Sequence, residues 1–261
     1  MENLGLDNLD ILWITLINFG YIDYAKNFLK SMELSNVTFK LLIYCLDNET
    51  LQELIGYKNC ICISADVFTK RRQITAEKRL VCWQEREYKE LVFLKLDAIL
   101  YSLHRGRAIN IKSICYIDTD IVLISDPTVV ITQRMNEYPN INVFAQCDEG
   151  GPSCSNRFNC STFCSGVIVF RNIPELYKYF VYDKSHINLC SGDQDYLYKM
   201  FKKFKIPVIT IERNIFLNGT HFLYNKMNPV SFPKEMCLVH FNNMVGDAKK
   251  EKMKQQKMWY I

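Results

Sequence analysis

The chain has 261 residues, of which 49% are apolar and 23% charged, with only ten glycines and seven prolines. These proportions are typical of a folded globular protein and exclude a disordered or collagen-like chain. The 32 basic and 28 acidic residues give a net charge of +4, which is too small for a dedicated nucleic-acid-binding protein but compatible with a local phosphate site.

The targeting signals and the cysteines predict a cytoplasmic protein. The first ten residues contain three acidic residues and no basic one, unlike a signal peptide. The early apolar run at 11–22 is too short to span a bilayer. Eleven cysteines, an odd number, without a signal peptide indicate reduced thiols rather than a disulfide framework. We therefore expect no membrane anchor and no nucleic-acid partner, while the oligomeric state stays open.

The first half of the chain predicts strands and helices in alternation. Short apolar runs predict strands, and apolar residues spaced by three or four predict helices. In chain order these are a strand at 11–17, a helix at 22–33, a strand at 39–45, a helix at 48–55, a strand at 60–63, a helix at about 85–104 and a strand at 114–117. Such alternation builds a mostly parallel sheet with helices on both faces.

The second half has a less regular pattern. It predicts strands at 142–146, 166–170, 207–211 and 237–241, helices at 174–181, 194–204 and 247–258, and a polar, cysteine-rich loop at 147–164. Neither an internal repeat nor a low-complexity linker interrupts the sequence, so we expect one α/β domain over residues 1–261.

An acidic pair follows the strand predicted at 114–117. Asp118 and Asp120 are two residues apart in an extended segment, so their side chains point the same way. Two carboxylates that close repel each other unless a cation lies between them. Carboxylate oxygens suit Mg²⁺ or Mn²⁺. The simpler interpretation is a turn or a helix cap, but the apolar strand favours a ligand site, because open α/β sheets bind ligands at the carboxyl ends of their strands.

The segment 116–127, YIDTDIVLISDP, resembles the D-x-D segment of glycosyltransferases with the GT-A fold. It is most similar to the nucleotide-diphospho-sugar transferases of glycosyltransferase family 77, with the glycogenin-like family 8 as a near relative. Residues 15–32 resemble the opening strand, nucleotide loop and helix of that family, 165–170 the strand after the donor-sugar loop, and 192–194 its D-Q element. Residues 239–259 resemble its closing H-x-N…G…K…W pattern.

The resemblance implies a set of site residues, all in one GT-A (Rossmann-like) domain. The nucleotide-binding half would cover about 1–125 and the acceptor and sugar-binding half about 126–261. Manganese (or magnesium) would be held by Asp118, Asp120 and His240. The nucleotide and diphosphate would contact Thr15, Asn18, Gly20, Tyr21, Lys95, Thr119, Gly246 and Lys249, with Lys250 as the alternative to Lys249. The sugar would contact Asp148, Ser165, Gly166 and Asp193, and the catalytic residues would be Asp193 and Gln194.

The chemistry of this set is consistent with glycosyl transfer. A nucleotide-sugar donor leaves a diphosphate whose negative charge grows as the glycosidic bond breaks, and a divalent cation neutralises it. The sequence thus predicts a metal-dependent, retaining transferase that moves a sugar, with UDP the expected nucleotide, to a glycan or another hydroxyl acceptor.

Several of these residues also have simpler interpretations. His240 alone would more often be structural, Asp193 could be only an N-cap, and Asp148 could be a loop acid. Most of the five lysines between 249 and 257 are expected to lie on the solvated face of a helix.

Other classes of protein share parts of the pattern. A haloacid dehalogenase-type phosphatase places its D-x-D early, whereas 117 residues precede Asp118 here and position 197 is a leucine. An inverting enzyme, with Asp148, Asp193 or Asp195 as base, and an inactive GT-A-like binding protein remain alternatives. The cysteines at 147, 154, 160 and 164 lack the C-x₂-C pairs of a zinc site.

Overall fold

The computed structural model of the protein describes residues 4–6, 8–69, 86–148, 162–219, 233–244 and 246–261. Helices and strands alternate along the first half and are more irregularly ordered in the second. The elements are β1 (Ile11–Ile17), α1 (Ile22–Leu34), β2 (Leu41–Cys45), α2 (Asn48–Leu54), β3 (Cys60–Ser64), α3 (Asp66–Thr69), α4 (Arg86–Ala108), β4 (Ser113–Ile117), β5 (Ile121–Leu123), α5 (Thr128–Glu137), β6 (Val143–Cys147), β7 (Phe163–Arg171), α6 (Lys184–Leu189), α7 (Asp193–Phe204), β8 (Val208–Ile211), β9 (Phe216–Asn218), β10 (Leu238–His240) and α8 (Gly246–Gln255). Two 3₁₀ helices cover Phe19–Tyr21 and Pro174–Phe180.

The central sheet has seven strands in the order β3-β2-β1-β4-β7-β6-β8, and β5, β10 and β9 form a second sheet in the order β5-β10-β9. The pairs β1–β2, β1–β4, β2–β3 and β6–β8 are parallel. This arrangement confirms the predicted α/β fold with a mostly parallel central sheet.

The chain divides into two compact units, each built from three stretches. The first comprises Met1–Ile22, Phe39–Ile117 and Val169–Ile206, and the second comprises Asp23–Thr38, Asp118–Ile168 and Pro207–Ile261.

Parallel strands are usually covered on both faces and are then apolar on both. In the first unit, β2 and β4 follow this pattern. Every residue of β2 and β4 is buried. The Trp13 ring stacks on Phe39 with 4.1 Å between ring centroids, and the Tyr44 hydroxyl is hydrogen-bonded to Ser102 at 2.6 Å.

In the second unit α1 anchors both β5 and the end of the chain. The Ser31 hydroxyl accepts a hydrogen bond from the Leu123 amide at 3.0 Å. The Asn27 amide group donates to Met258 O at 3.0 Å and accepts from Tyr260 N at 2.6 Å. These bonds satisfy backbone groups that would otherwise be buried without partners.

The sequence patterns locate the longer elements to within a few residues and miss several others. The missed elements are α3, β5, α5, α6 and β9. The helix predicted at 174–181 is a 3₁₀ helix that begins at Pro174. Of the loop predicted at 147–164, residues 149–161, and with them the cysteines at 154 and 160, lie outside the described residues.

The prediction of fully reduced cysteines is wrong at Cys147, which is disulfide-bonded. Free thiols are found at Cys45, Cys60, Cys62, Cys115, Cys164, Cys190 and Cys237. Within the part of the chain that the structure describes, no helix combines the length and apolar character needed to cross a membrane.

Candidate active site

The backbone around β4, β5 and β10 determines where the acidic pair lies. Directly after β4, the Asp118 amide donates to Gly166 O at 2.8 Å. Asp120 precedes β5, which pairs antiparallel with β10 so that Ile121 lies opposite His240. The Phe241 amide donates to Asp120 O at 3.0 Å. The register of this short sheet therefore brings His240 next to an acid that lies 120 positions earlier in the chain.

Asp118, Asp120 and His240 form a cluster that could hold a metal ion. His240 Nε2 lies 3.1 Å from Asp120 Oδ1 and 3.8 Å from Asp118 Oδ2, and the three ligand atoms all lie within 4.8 Å of one another. An octahedral Mg²⁺ or Mn²⁺ with ligands at about 2.1 Å places neighbouring ligand atoms about 3 Å apart and opposite ones about 4.2 Å apart. The donor set and its spacing thus fit such an ion.

Gly166 on β7 has no side chain, so Asp118 and His240 pack directly against its backbone. A Cβ atom at this position would lie 2.1 Å from His240 Cε1, 2.6 Å from Asp118 Oδ2 and 2.9 Å from His240 Nε2. No side chain fits at these distances without moving the ligands. The family resemblance assigns Gly166 to the sugar, and the structure places it against the Asp118 carboxylate and the His240 imidazole.

Lys249 on α8 forms an ion pair with the Asp120 carboxylate. Its neighbour Lys250 instead pairs with Asp23 at 2.9 Å. Gly246, the first residue of α8, accepts a hydrogen bond at its carbonyl from the Tyr24 hydroxyl at 3.2 Å. Of the two lysines left open by the sequence, Lys249 is therefore the one beside the acidic cluster.

The electrostatics of Asp120 and His240 are coupled. Burial raises the pKa of Asp120, but the Lys249 and His240 charges and their hydrogen bonds outweigh it and hold this pKa well below its usual range. Burial lowers the pKa of His240, but the Asp120 carboxylate together with Cys164 raises it to about 10. The cluster thus attracts positive charge strongly.

Three further side chains surround the cluster: Gln146 and Cys164, which the sequence patterns do not assign to the site, and Asn242, the third residue of the H-x-N pattern. Gln146 contacts His240 Nδ1 at 2.8 Å, and Cys164 Sγ lies 3.6 Å from the same nitrogen. The Asn242 side chain donates to Asp148 Oδ1 at 3.2 Å, and its own Oδ1 accepts from Gly219 N at 2.6 Å. The sequence signal for Gln146 is that its amide side chain interrupts an otherwise apolar strand.

In the first unit, Lys95 on α4 and Asp193 on α7 form a buried ion pair at 3.0 Å. The Lys95 ammonium also lies 4.7 Å from the centroid of the Tyr116 ring. Asp193 is the first residue of α7 and is not its N-cap, a position that Gly192 occupies. Asp195 instead accepts a hydrogen bond from the Ser191 amide, two residues before the first residue of α7, at 2.9 Å.

The other residues assigned from the sequence lie at strand ends or in turns. Thr15 and Asn18 are buried at the end of β1, followed by the 3₁₀ helix that contains Gly20 and Tyr21. The Thr15 hydroxyl is a buried group with no hydrogen-bond partner among the described residues. Thr119 and Ser165 are buried in the second unit, and Gln194 follows Asp193 on α7.

Comparison with solved structures identifies the fold class as that of GT-A glycosyltransferases. Galactosyltransferase LgtC in complex with donor and acceptor sugar analogues is similar over 95% of both chains, with 13% identity and a TM-score of 0.54. Mouse xyloside xylosyltransferase 1 is similar over 90% of this chain and 99% of its own, with 13% identity and a TM-score of 0.52. The bifunctional glycosyltransferase WbbM matches 99% of this chain with 12% identity and a TM-score of 0.58, and this chain covers about half (52%) of WbbM.

The family follows from the sequence itself. Residues 36–255 match the model of the nucleotide-diphospho-sugar transferase family, so the chain belongs to that family and is a glycosyltransferase. No curated protein sequence matches the chain.

Proposed function

We propose that this protein is a metal-dependent, retaining glycosyltransferase that transfers a sugar from a UDP-sugar to a hydroxyl group of a glycan. The observation that carries the proposal is the convergence of Asp118, Asp120 and His240 with Lys249 beside them. The sequence resemblance to families 77 and 8 supports retention and UDP as the nucleotide.

The acidic cluster and Lys249 would bind the diphosphate of the donor. A divalent cation held by Asp118, Asp120 and His240 would neutralise the charge that develops on the leaving diphosphate. The Lys249 ammonium lies at the Asp120 carboxylate, where it could also pair with a phosphate oxygen of a bound donor. Asp148, oriented by Asn242, would accept hydrogen bonds from sugar hydroxyls.

The family resemblance assigns Thr15 to the nucleotide and Asp193 and Gln194 to the sugar of the donor. The Lys95–Asp193 pair holds a carboxylate in a fixed position at the start of α7. Such a carboxylate suits recognition of sugar hydroxyls, and Gln194 would stabilise positive charge at the anomeric carbon.

The test is substitution of the acidic pair. We expect Asp118→Asn and Asp120→Asn each to reduce release of UDP from a UDP-sugar in Mn²⁺ by at least about 100-fold, because a ligand and a negative charge are lost together. Asp10→Asn is the matched control, since it removes the same charge from an exposed surface pair with Lys112. Near wild-type turnover of either site variant would contradict the proposal.

A further inference from the structure

Gln146 contacts the His240 imidazole at the nitrogen that does not face the aspartates. Its Oε1 lies 2.8 Å from His240 Nδ1, and the two side chains are 0% and 1% exposed. All other residues of β6 are apolar or a cysteine. A polar side chain so deeply buried is costly unless its hydrogen bonds are satisfied, so its partners determine how it is oriented.

The backbone of β9 fixes which way the Gln146 amide points. Its Nε2 lies 3.1 Å from both Phe216 O and Leu217 O. Carbonyl oxygens accept hydrogen bonds and cannot donate them, so only the NH₂ group satisfies this pair. The opposite orientation would place the amide oxygen against two carbonyl oxygens. Oε1 therefore faces His240 and acts as an acceptor.

This orientation keeps a proton on Nδ1 of His240, so a cation that replaces the Nε2 proton would bind the neutral Nδ1–H form. An acceptor at 2.8 Å requires the proton on Nδ1, and a neutral imidazole with its proton there has its lone pair on Nε2. Nε2 is the atom that faces Asp120 and Asp118. Cys164 Sγ lies farther from Nδ1, at 3.6 Å, and sulfur is the weaker acceptor.

We propose that Gln146 is a positioning residue for the metal site: it holds His240 as the Nδ1–H tautomer and fixes the ring so that Nε2 is presented to the cation. The register supports this role, since β9 supplies the carbonyls that orient Gln146 and pairs with β10 so that Asn218 lies opposite His240. Histidine ligands of protein-bound metals commonly donate their second ring N–H to such a fixed acceptor. The proposal rests on the metal-dependent function proposed above.

The test measures binding of Mn²⁺ alone, with no donor present, from the free Mn²⁺ signal in electron paramagnetic resonance. Gln146→Met keeps the length and approximate volume of the side chain and removes the acceptor, and we expect 10- to 100-fold weaker binding. Gln146→Glu keeps an oxygen at the same position and, as a neutral acid, still donates to one carbonyl. We expect it to recover most of the lost affinity.

Two further variants serve as controls. Cys164→Ala removes the more distant neighbour of Nδ1, so we expect a smaller loss of affinity than in Gln146→Met. Ser102→Ala removes a buried side-chain hydrogen bond to Tyr44 in the first unit, and its Mn²⁺ affinity should equal that of the wild type. Long-range ¹H–¹⁵N spectra of the Mg²⁺-loaded wild type should show the His240 proton on Nδ1.

The outcomes separate this inference from the function on which it rests. If wild type binds no Mn²⁺, or if Asp120→Asn binds it equally well, the proposed metal site fails. If wild type binds and Asp120→Asn does not, but Gln146→Met keeps wild-type affinity, only the role of Gln146 is overturned. If Gln146→Met does not fold in EDTA, the test is made with Gln146→Glu. A tenfold or larger loss of Mn²⁺ affinity in Gln146→Glu then overturns the role of Gln146.

Discussion

Asp120 lies between two cationic side chains, those of His240 and Lys249. In the absence of a metal ion these side chains balance the charge of the buried carboxylate, which would otherwise be costly to keep there. A divalent cation at the same carboxylate repels the Lys249 ammonium, so this side chain needs another anion. The diphosphate of a donor is such an anion, and we therefore expect donor and metal to bind cooperatively.

Gly166→Ala tests whether the close packing of His240 and Asp118 against the β7 backbone is required. The added methyl group would lie 2.1 Å from His240 Cε1 and 2.6 Å from Asp118 Oδ2, so the buried imidazole must move. We expect at least about tenfold weaker Mn²⁺ binding and a loss of roughly 1–3 kcal/mol in the free energy of unfolding. Isothermal titration with Mn²⁺ and urea unfolding in EDTA measure the two effects. Unchanged Mn²⁺ affinity would show that the glycine is not needed there.

At the residue scale, sequence patterns predict a ligand better when its partners are close in the chain. Asp118 and Asp120 are recognisable because they follow an apolar strand two residues apart. His240 needed the family resemblance, because its contact with Asp120 depends on the pairing of β5 with β10. Gln146 cannot be assigned from the sequence, because a single amide within an apolar strand forms no motif with a second residue at a characteristic spacing.

At the element scale, intrinsic propensity explains which elements were missed. The sequence of α5, TVVITQRMNE, begins with five β-branched residues, which favour a strand over a helix. Tertiary contacts override this preference: Arg134 on α5 forms a buried ion pair with Glu212 at 2.7 Å. β5 and β9 have three residues each, too few for an alternation pattern to be recognised.

Asp126 connects the start of α5 with Thr38, in the segment between α1 and β2, and its contribution should depend on pH. Its carboxylate accepts from Thr128 N at 2.9 Å and from Thr38 N and Oγ1 at 3.2 and 3.0 Å. Burial raises the pKa of Asp126, but these hydrogen bonds outweigh it and lower the pKa below its usual value. A lowered pKa in the folded state gives stability that is present above the ordinary pKa of about 4 and is lost as the pH falls below it.

We expect Asp126→Asn to reduce the free energy of unfolding by about 1–2 kcal/mol at pH 7 and by less at pH 3, because the amide has one acceptor oxygen where both carboxylate oxygens are used. Urea unfolding at the two pH values measures the difference. Asp10→Asn, at an exposed ion pair, should change stability little at either pH. A difference for Asp126→Asn that does not shrink at pH 3 would contradict the assignment.

At the scale of the whole molecule, the fold follows from the pattern of elements even where sequence identity is low. The solved structures compared above share only 12–13% of their residues with this chain, yet alternating strands and helices predicted the same α/β fold. The disulfide at Cys147 shows the limit of such patterns. The number of cysteines is a property of the composition, whereas a disulfide depends on which cysteines meet in space.

The stereochemical outcome of transfer is a property of the whole site. An inverting enzyme needs a carboxylate base beside the acceptor, and the three acids that the sequence offers already have partners. Asp193 pairs with Lys95 at 3.0 Å, Asp195 accepts from Ser191 N and Lys199 at 2.9 Å, and Asp148 accepts from Asn242. Such partners do not prevent a carboxylate from acting as a base, and we expect retention because the family resemblance implies it, with the departing diphosphate taking the proton of the acceptor.

Nuclear magnetic resonance of the product formed from an α-linked donor distinguishes the two outcomes. We expect an α-linked product, and a β-linked one would assign one of the three aspartates as a base.

On the retaining mechanism Gln194 acts mainly in the transition state, where positive charge develops at the anomeric carbon. Gln194→Ala should then lower kcat by about 10- to 100-fold and leave the KM for the donor nearly unchanged. A variant that raises KM and keeps kcat would instead show that Gln194 binds the donor in its ground state.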